Sequence, residues 1–309
     1  MPQALTHVHR SLPGVAWSHP VGPDLFLRGR EYIRGERPLL HFVHGNGFSG
    51  MTYWPLLGRL HEHYDLCLHD TQGHGDSDNG ARFPGWNATA DRIVEFIGQR
   101  RPLWGERPVI GVGHSFGGIV TLLAASRAPQ LFDGIVLLDP VLFPPLLVPV
   151  MAAAYFTGLS QLNPMVMQAK RRGSRWESRD AAWSYFYQRG IFRGWTDEAL
   201  AAYIDHALAR QPDGSLTLKC PPWMEAQIFA SFPRRLWSSV RRLPVPTRIL
   251  FGTNTYPFVR PSVERAAKLN SAVRVHAMPG GHCFMQQDPE LAARETARAL
   301  AQVLEAPAG

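Results

Sequence analysis

Val109-Ile110-Gly111-Val112-Gly113-His114-Ser115-Phe116-Gly117-Gly118-Ile119-Val120 is the stretch on which the reading of this chain turns. Val109 to Val112 is a short apolar run suited to a buried strand, and Phe116 to Ala128 has helical spacing. Between them, Gly113-His114-Ser115-Phe116-Gly117 fits G-x-S-x-G. That pattern alone arises by chance in roughly one chain in eight of this composition. Its place between strand and helix makes it informative. A sharp turn there pushes a serine hydroxyl out at the sheet edge, and the flanking glycines let the two backbones approach.

Outward from this turn the chain alternates. Leu39 to Val43, Asp65 to His69, Ile135 to Leu138, Thr247 to Phe251 and Val273 to Ala277 read as strands. Helical patterns lie near Met51 to His63, Ala88 to Arg100 and Ser262 to Leu269. A last helix starts at Asp288-Pro289, a capping residue followed by proline at the first helical position. Short apolar strands alternating with helices predict an α/β fold, a mostly parallel sheet covered on both faces.

The alternation breaks between residues 141 and 242, a stretch too long to be a loop. Thr196 caps a helix whose stripe is Leu200, Tyr203, Ile204, Ala207 and Leu208. The segment is expected to be an inserted helical cap on a core of residues 1–140 and 243–309. It carries 15 of the 33 aromatic residues, more than its own core needs, which predicts an apolar pocket wall. Phe143, Trp183, Phe186 and Trp223 are expected to line it.

A serine hydroxyl needs a base to be nucleophilic at neutral pH. His282, in the loop Pro279-Gly280-Gly281-His282 after the last strand, falls at the same sheet edge as Ser115. The histidine needs an acid. Asp139 ends the strand Ile135 to Leu138, whereas Gly252-Thr253-Asn254-Thr255-Tyr256, the other position at that edge, has no carboxylate. The expected catalytic order is Ser115, Asp139, His282. Backbone N–H groups of Phe116 and of Asn46, in His44-Gly45-Asn46-Gly47, would hold an oxyanion.

These pieces together resemble the α/β-hydrolase superfamily in its cap-bearing branch, over roughly residues 35 to 305. The matching motifs are His44-Gly45-Asn46-Gly47, Asp70-Thr71-Gln72-Gly73-His74-Gly75-Asp76-Ser77, Gly113 to Gly118 and Gly280-Gly281-His282. The resemblance implies an eight-stranded sheet and a bracing role for the Asp70 to Ser77 loop, where arginine commonly stands in place of Gln72. Many members carry the acid at the position of Thr255. The haloalkane-dehalogenase-like branch carries it where Asp139 stands, but with an aspartate nucleophile. Ser115 in that place points instead to an acyl-enzyme and to a serine esterase of small to medium hydrophobic molecules. A thioester, or a carbon–carbon bond beside a ketone, would use the same groups. A ligand-binding module that kept the fold is the non-catalytic alternative.

Composition bounds the rest. The chain has 309 residues, 45% hydrophobic and 18% charged, with a net charge of +7. Disorder is excluded. Three cysteines make no disulfide framework or metal-ligand spacing, and the serine chemistry expected here needs neither metal nor cofactor. The opening MPQALTHVHR has no secretory pattern, and a cytoplasmic location is the expectation. Residues 140 to 242 hold a surplus of six positive charges, read as a solvated face rather than a nucleic-acid surface. Residues 140 to 169 carry no charge. Pro140, Pro144, Pro145 and Pro149 argue against a spanning helix and for a buried hinge and cap helix. A peripheral apolar surface beside Lys170-Arg171-Arg172, able to contact a membrane, is the alternative reading.

Overall fold

The computed structural model describes residues 14–306. Eight strands form one sheet: β1 (Val15–Gly22), β2 (Leu25–Tyr32), β3 (Leu39–Val43), β4 (Asp65–Asp70), β5 (Val109–His114), β6 (Gly134–Leu138), β10 (Thr247–Gly252) and β11 (Val273–Met278). Their order is β1-β2-β4-β3-β5-β6-β10-β11. β2 pairs antiparallel with both its neighbours, and the pairs from β4 to β11 are parallel. Chain order reverses around β3, which lies between β4 and β5. Ligands bind beyond the strand ends at such a switch point.

Helices cover both faces: α1 (Trp54–Leu60), α2 (Trp86–Trp104), α3 (Phe116–Arg127), α9 (Leu236–Arg242), α10 (Val259–Leu269) and α12 (Pro289–Leu304), the last preceded by the single turn α11 (Phe284–Gln287). The central strands β3, β5 and β6 are buried along their whole length because each face has its own core. Leu40, Phe42, Leu66, Leu68, Ile110 and Val112 pack with α1 and α12. Leu39, Val43, Cys67, Val109, Ile135 and Leu137 pack with α2, α3 and α10. The period of two between these sets is the pleat itself.

The hairpin of β1 and β2 is absent from the residue-by-residue reading. Its strands interleave buried positions with exposed ones in β1 and half-buried ones in β2 and carry several charged or polar residues, so no apolar run marks them. Gly22-Pro23-Asp24 is the turn signal that could have found it.

Between β6 and β10 lie α4 (Leu147–Phe156), α5 (Pro164–Arg171), α6 (Arg179–Phe186), α7 (Asp197–Ala207) and α8 (Pro222–Ala230). The segment is not wholly helical. β7 (Arg175–Trp176), β8 (Leu208–Arg210) and β9 (Leu216–Leu218) form a small antiparallel sheet in the order β7-β9-β8. Pro212-Asp213-Gly214 supplies the turn between the last two. The expected buried helix after Pro140 is also corrected: α4 has no buried residue. No helix among the described residues is long and apolar enough to cross a membrane.

Candidate active site

β5 ends at His114, which pairs with Leu138 at the end of β6. The next residue on each strand leaves the ladder with positive φ, 54° at Ser115 and 41° at Asp139. At Ser115 this is the sharp strand-to-helix turn. The turn is tight enough that a Cβ on Gly117 would lie 2.2 Å from the Val43 carbonyl oxygen, so only glycine fits there.

His282 follows β11. Its loop is fixed by Gln287, whose side-chain oxygen accepts the Gly281 N–H at 2.8 Å, and by Asn254, whose N–H donates to the Gly280 carbonyl. His282 Nε2 lies 2.9 Å from Ser115 Oγ, and Nδ1 lies 2.6 Å from Asp139 Oδ2. A carboxylate only accepts, so Nδ1 carries the hydrogen and Nε2 presents its lone pair to the serine. Asp139 is fully buried. It also accepts the Gly252 N–H at 2.7 Å and the Thr255 hydroxyl hydrogen. Three donors hold this carboxylate in one orientation.

The loop after β3 is held from below. The N–H of Gly47 donates to His74 Nε2 at 3.0 Å, and that of Thr71 to His44 Nε2 at 3.0 Å. The backbone amides of Asn46 and Phe116 donate to no carbonyl outside their own elements among the described residues. Asp70 accepts the N–H groups of Gly50 and Asp76, and Gln72 donates to two loop carbonyls while Arg92 donates to its oxygen. The loop from Asp70 to Ser77 is therefore a brace, as its resemblance implies.

Sequence reasoning missed a buried relay. Tyr53 lies 2.6 Å from His114 Nδ1, and His114 Nε2 lies 2.9 Å from the His282 carbonyl oxygen. The carbonyl must accept, so His114 donates through Nε2 and receives the Tyr53 hydrogen at Nδ1. The Tyr53 oxygen accepts the Gly45 N–H at 3.1 Å. The relay thus ties the loop after β3 to the backbone of His282. Burial, and then the neighbouring His282, hold His114 well below the usual histidine range, so it stays neutral.

A cavity of about 830 Å³ opens beside His282 and Asn46. Phe186, Tyr203, Phe229 and Tyr256 are among its walls. The Tyr256 ring lies 4.7 Å from that of His282, and burial pushes its hydroxyl up to about 12. Arg172 enters the cavity bound to Glu225 at 2.5 Å and to the Tyr203 hydroxyl at 3.0 Å. Burial opposes its charge, but Tyr203 and Glu225 outweigh that and hold its pKa above the usual. Arg189 and Arg193 also line the cavity, with no ion-pair partner among the described residues.

Of the four aromatics expected at the wall, Phe186 alone lines this cavity. Phe143 stacks on Phe258 and its carbonyl accepts from the Trp237 indole, on the side of the core against α2, α3 and α9. Trp183 stacks on Tyr187 under the Arg179 guanidinium. Trp223, in the first turn of α8, is 37% exposed. Helix rotation decides the directions of Trp183 and Trp223, and composition does not reveal it.

The sequence pattern of the alpha/beta hydrolase family matches residues 42–295. A 2-(acetamidomethylene)succinate hydrolase from Mesorhizobium japonicum is 32% identical over 106 residues, 34% of this chain and 37% of that relative. A pimeloyl-[acyl-carrier protein] methyl ester esterase from Xanthomonas oryzae pv. oryzae is 34% identical over 98 residues, 32% of this chain and 35% of that one. These matches span about a third of the relatives' length. A (lyso)-N-acylphosphatidylethanolamine lipase from Bos taurus is 26% identical over 78% of this chain and 69% of its own. The crystal structure of E-2-(acetamidomethylene)succinate hydrolase superposes with a TM-score of 0.75 at 22% identity, covering 94% of this chain and all of that one. With the family pattern running from β3 into α12 and the fold shared over nearly the whole chain, this protein belongs to the alpha/beta hydrolase family.

Proposed function

We propose that the protein is a serine hydrolase of carboxylic esters, working through an acyl-enzyme on Ser115. The observation that carries this is the line of contacts Ser115–His282–Asp139, at 2.9 Å and 2.6 Å, beside an 830 Å³ cavity. His282 takes the Ser115 proton as Oγ attacks the acyl carbon, then gives it to the leaving alkoxide. Asp139 holds the imidazole tautomer and stabilises its cationic form. The amides of Asn46 and Phe116 hold the oxyanion. Water, activated by His282, then releases the acid. The segment between β6 and β10 is the cap, and the aromatic walls suit a hydrophobic acyl or alcohol group.

A second reading rests on Arg189 and Arg193. Cations without an ion-pair partner among the described residues, at the cavity, favour an anionic acyl thioester or keto acid, cleaved by the same groups. The methyl ester esterase and lipase relatives support the ester reading.

The test is labelling with a fluorophosphonate probe, wild type beside Ser115→Ala, read by intact mass and peptide mapping. One adduct on Ser115, absent from the variant, supports the proposal. An ester and thioester panel then separates the two readings. No adduct on folded protein would favour a non-catalytic binding module.

A further inference from the structure

Residues 140–176 contain no Asp or Glu, and the first thirty carry no charge at all. The fold does not hide this apolar segment. Leu146 is 86% exposed, Phe156 77% and Leu162 68%, with Val150 and Leu159 also largely in water. The rings of Tyr155 and Phe156 meet Phe232 at 5.9 and 6.1 Å, extending the apolar face to the chain after α8. A contiguous patch of this kind marks an interaction surface rather than scattered exposure.

Its rim is basic. Lys170 donates to Gln161, beside the turn Leu159–Leu162. Arg171 follows it, and Arg234 and Arg235 follow Phe232; all four are exposed. None of the four is in an ion pair among the described residues, whereas neighbouring Arg172 and Arg175 are paired. Two copies meeting through this face by a two-fold axis would bring the unpaired cations together. An anionic lipid surface complements both the apolar centre and the basic rim.

We propose that α4, the turn Leu159–Leu162 and the outer side of α5 dock on an anionic lipid bilayer. Phe156, Leu159 and Leu162 would sit among the headgroups, and Lys170, Arg171, Arg234 and Arg235 on the phosphates. A ten-residue helix rises only about 15 Å, so α4 lies in the interface and does not cross. Met165 and Ala169 of α5 and Phe229 of α8 line the cavity beside His282. The docking face and the cavity therefore share a wall, and a lipid-borne acyl chain has a short path inward. That last step rests on the hydrolase reading; docking does not.

The test is co-sedimentation of Ser115→Ala protein with phosphatidylcholine vesicles, with and without phosphatidylglycerol. Binding to the phosphatidylglycerol vesicles should be at least about tenfold stronger and fall as salt rises. Phe156→Glu with Leu159→Glu should abolish it, and Lys170→Glu with Arg171→Glu should remove its salt dependence. Should the first pair fail to fold by circular dichroism, Leu162→Ser alone should still weaken binding severalfold. Equal binding to both vesicles, no binding, or dimerisation in analytical ultracentrifugation abolished by the apolar substitutions would each overturn docking. Sedimentation needs no turnover, so its failure is separate from a failure of Ser115 labelling.

Discussion

Thr255 donates its hydroxyl hydrogen to Oδ2 of Asp139, the oxygen that also accepts from His282 Nδ1. In the resemblance, Thr255 stands where many relatives carry the acid itself. Here the position after β10 supports a carboxylate supplied from the end of β6. Thr255→Val keeps the shape and removes the donor. A charge-assisted hydrogen bond of about 1.4 kcal/mol corresponds to about tenfold, so kcat should fall about tenfold with KM little changed. An unchanged kcat would mean that the contact only fills space.

The same geometry predicts a transplant. Asp139→Asn should lose several orders of magnitude in kcat, because the wrong histidine tautomer is then held. Adding Thr255→Asp should restore part of that loss. Steady-state kinetics on the single and double variants decide it; no recovery would mean that the second position cannot reach His282.

Ser115→Ala and His282→Ala should each remove at least about a thousandfold of turnover and leave the circular dichroism spectrum intact. Together they should cost little more than either alone, since the groups act as one unit. Additive losses would overturn the shared mechanism.

Tyr53→Phe breaks the relay at both ends. It leaves His114 Nδ1 without its donor and the Gly45 N–H without its acceptor. Stability should drop by about 1–3 kcal/mol, read by urea denaturation, and kcat should fall more than KM rises. A loss of stability with kcat intact would limit the relay to folding.

Acid should destabilise this protein through its buried histidines. Burial lowers His41 to about 3 and His44 to about 4, and holds His69 and His74 well below the usual range. These rings are neutral when folded and take protons once unfolded. Their contribution is complete above about pH 6.5 and is lost as pH falls toward the folded values, at about 1.4 kcal/mol per pH unit for each group. Asp70 works the other way. Burial raises its carboxyl to about 6, so from about pH 6 down to about 4 the folded form binds its proton more tightly, offsetting one histidine. Urea midpoints should therefore fall steeply between pH 6.5 and 4.5. A flat profile would show that these rings are not buried neutral.

Strong local signals made part of this legible. β5 and its turn could be read because apolar runs and glycines concentrate there. Ser115, Asp139 and His282 could be placed because parallel strands put all their ends at one edge. The β1–β2 hairpin could not, since its half-polar strands lack a run. The direction of Trp183 or Trp223 depends on which way a helix rolls against its neighbours. α4 is apolar all round, so its pattern names no inner face, and burial and exposure read alike in sequence. His114 was visible inside the G-x-S-x-G match, but its partner Tyr53 lies 61 residues away.

Ser115 and Asp139 turn away from neighbouring strands in a backbone region that side chains enter at a cost of about 1–3 kcal/mol each. On the proposed mechanism, glycine at Ser115 would relax the turn and remove the nucleophile, whereas glycine at Asp139 would leave three buried donors without their acceptor. Heat resistance and the proposed turnover therefore pull in opposite directions at Ser115. Variants of that one residue ranked by melting temperature alone would favour loss of the nucleophile the proposal needs.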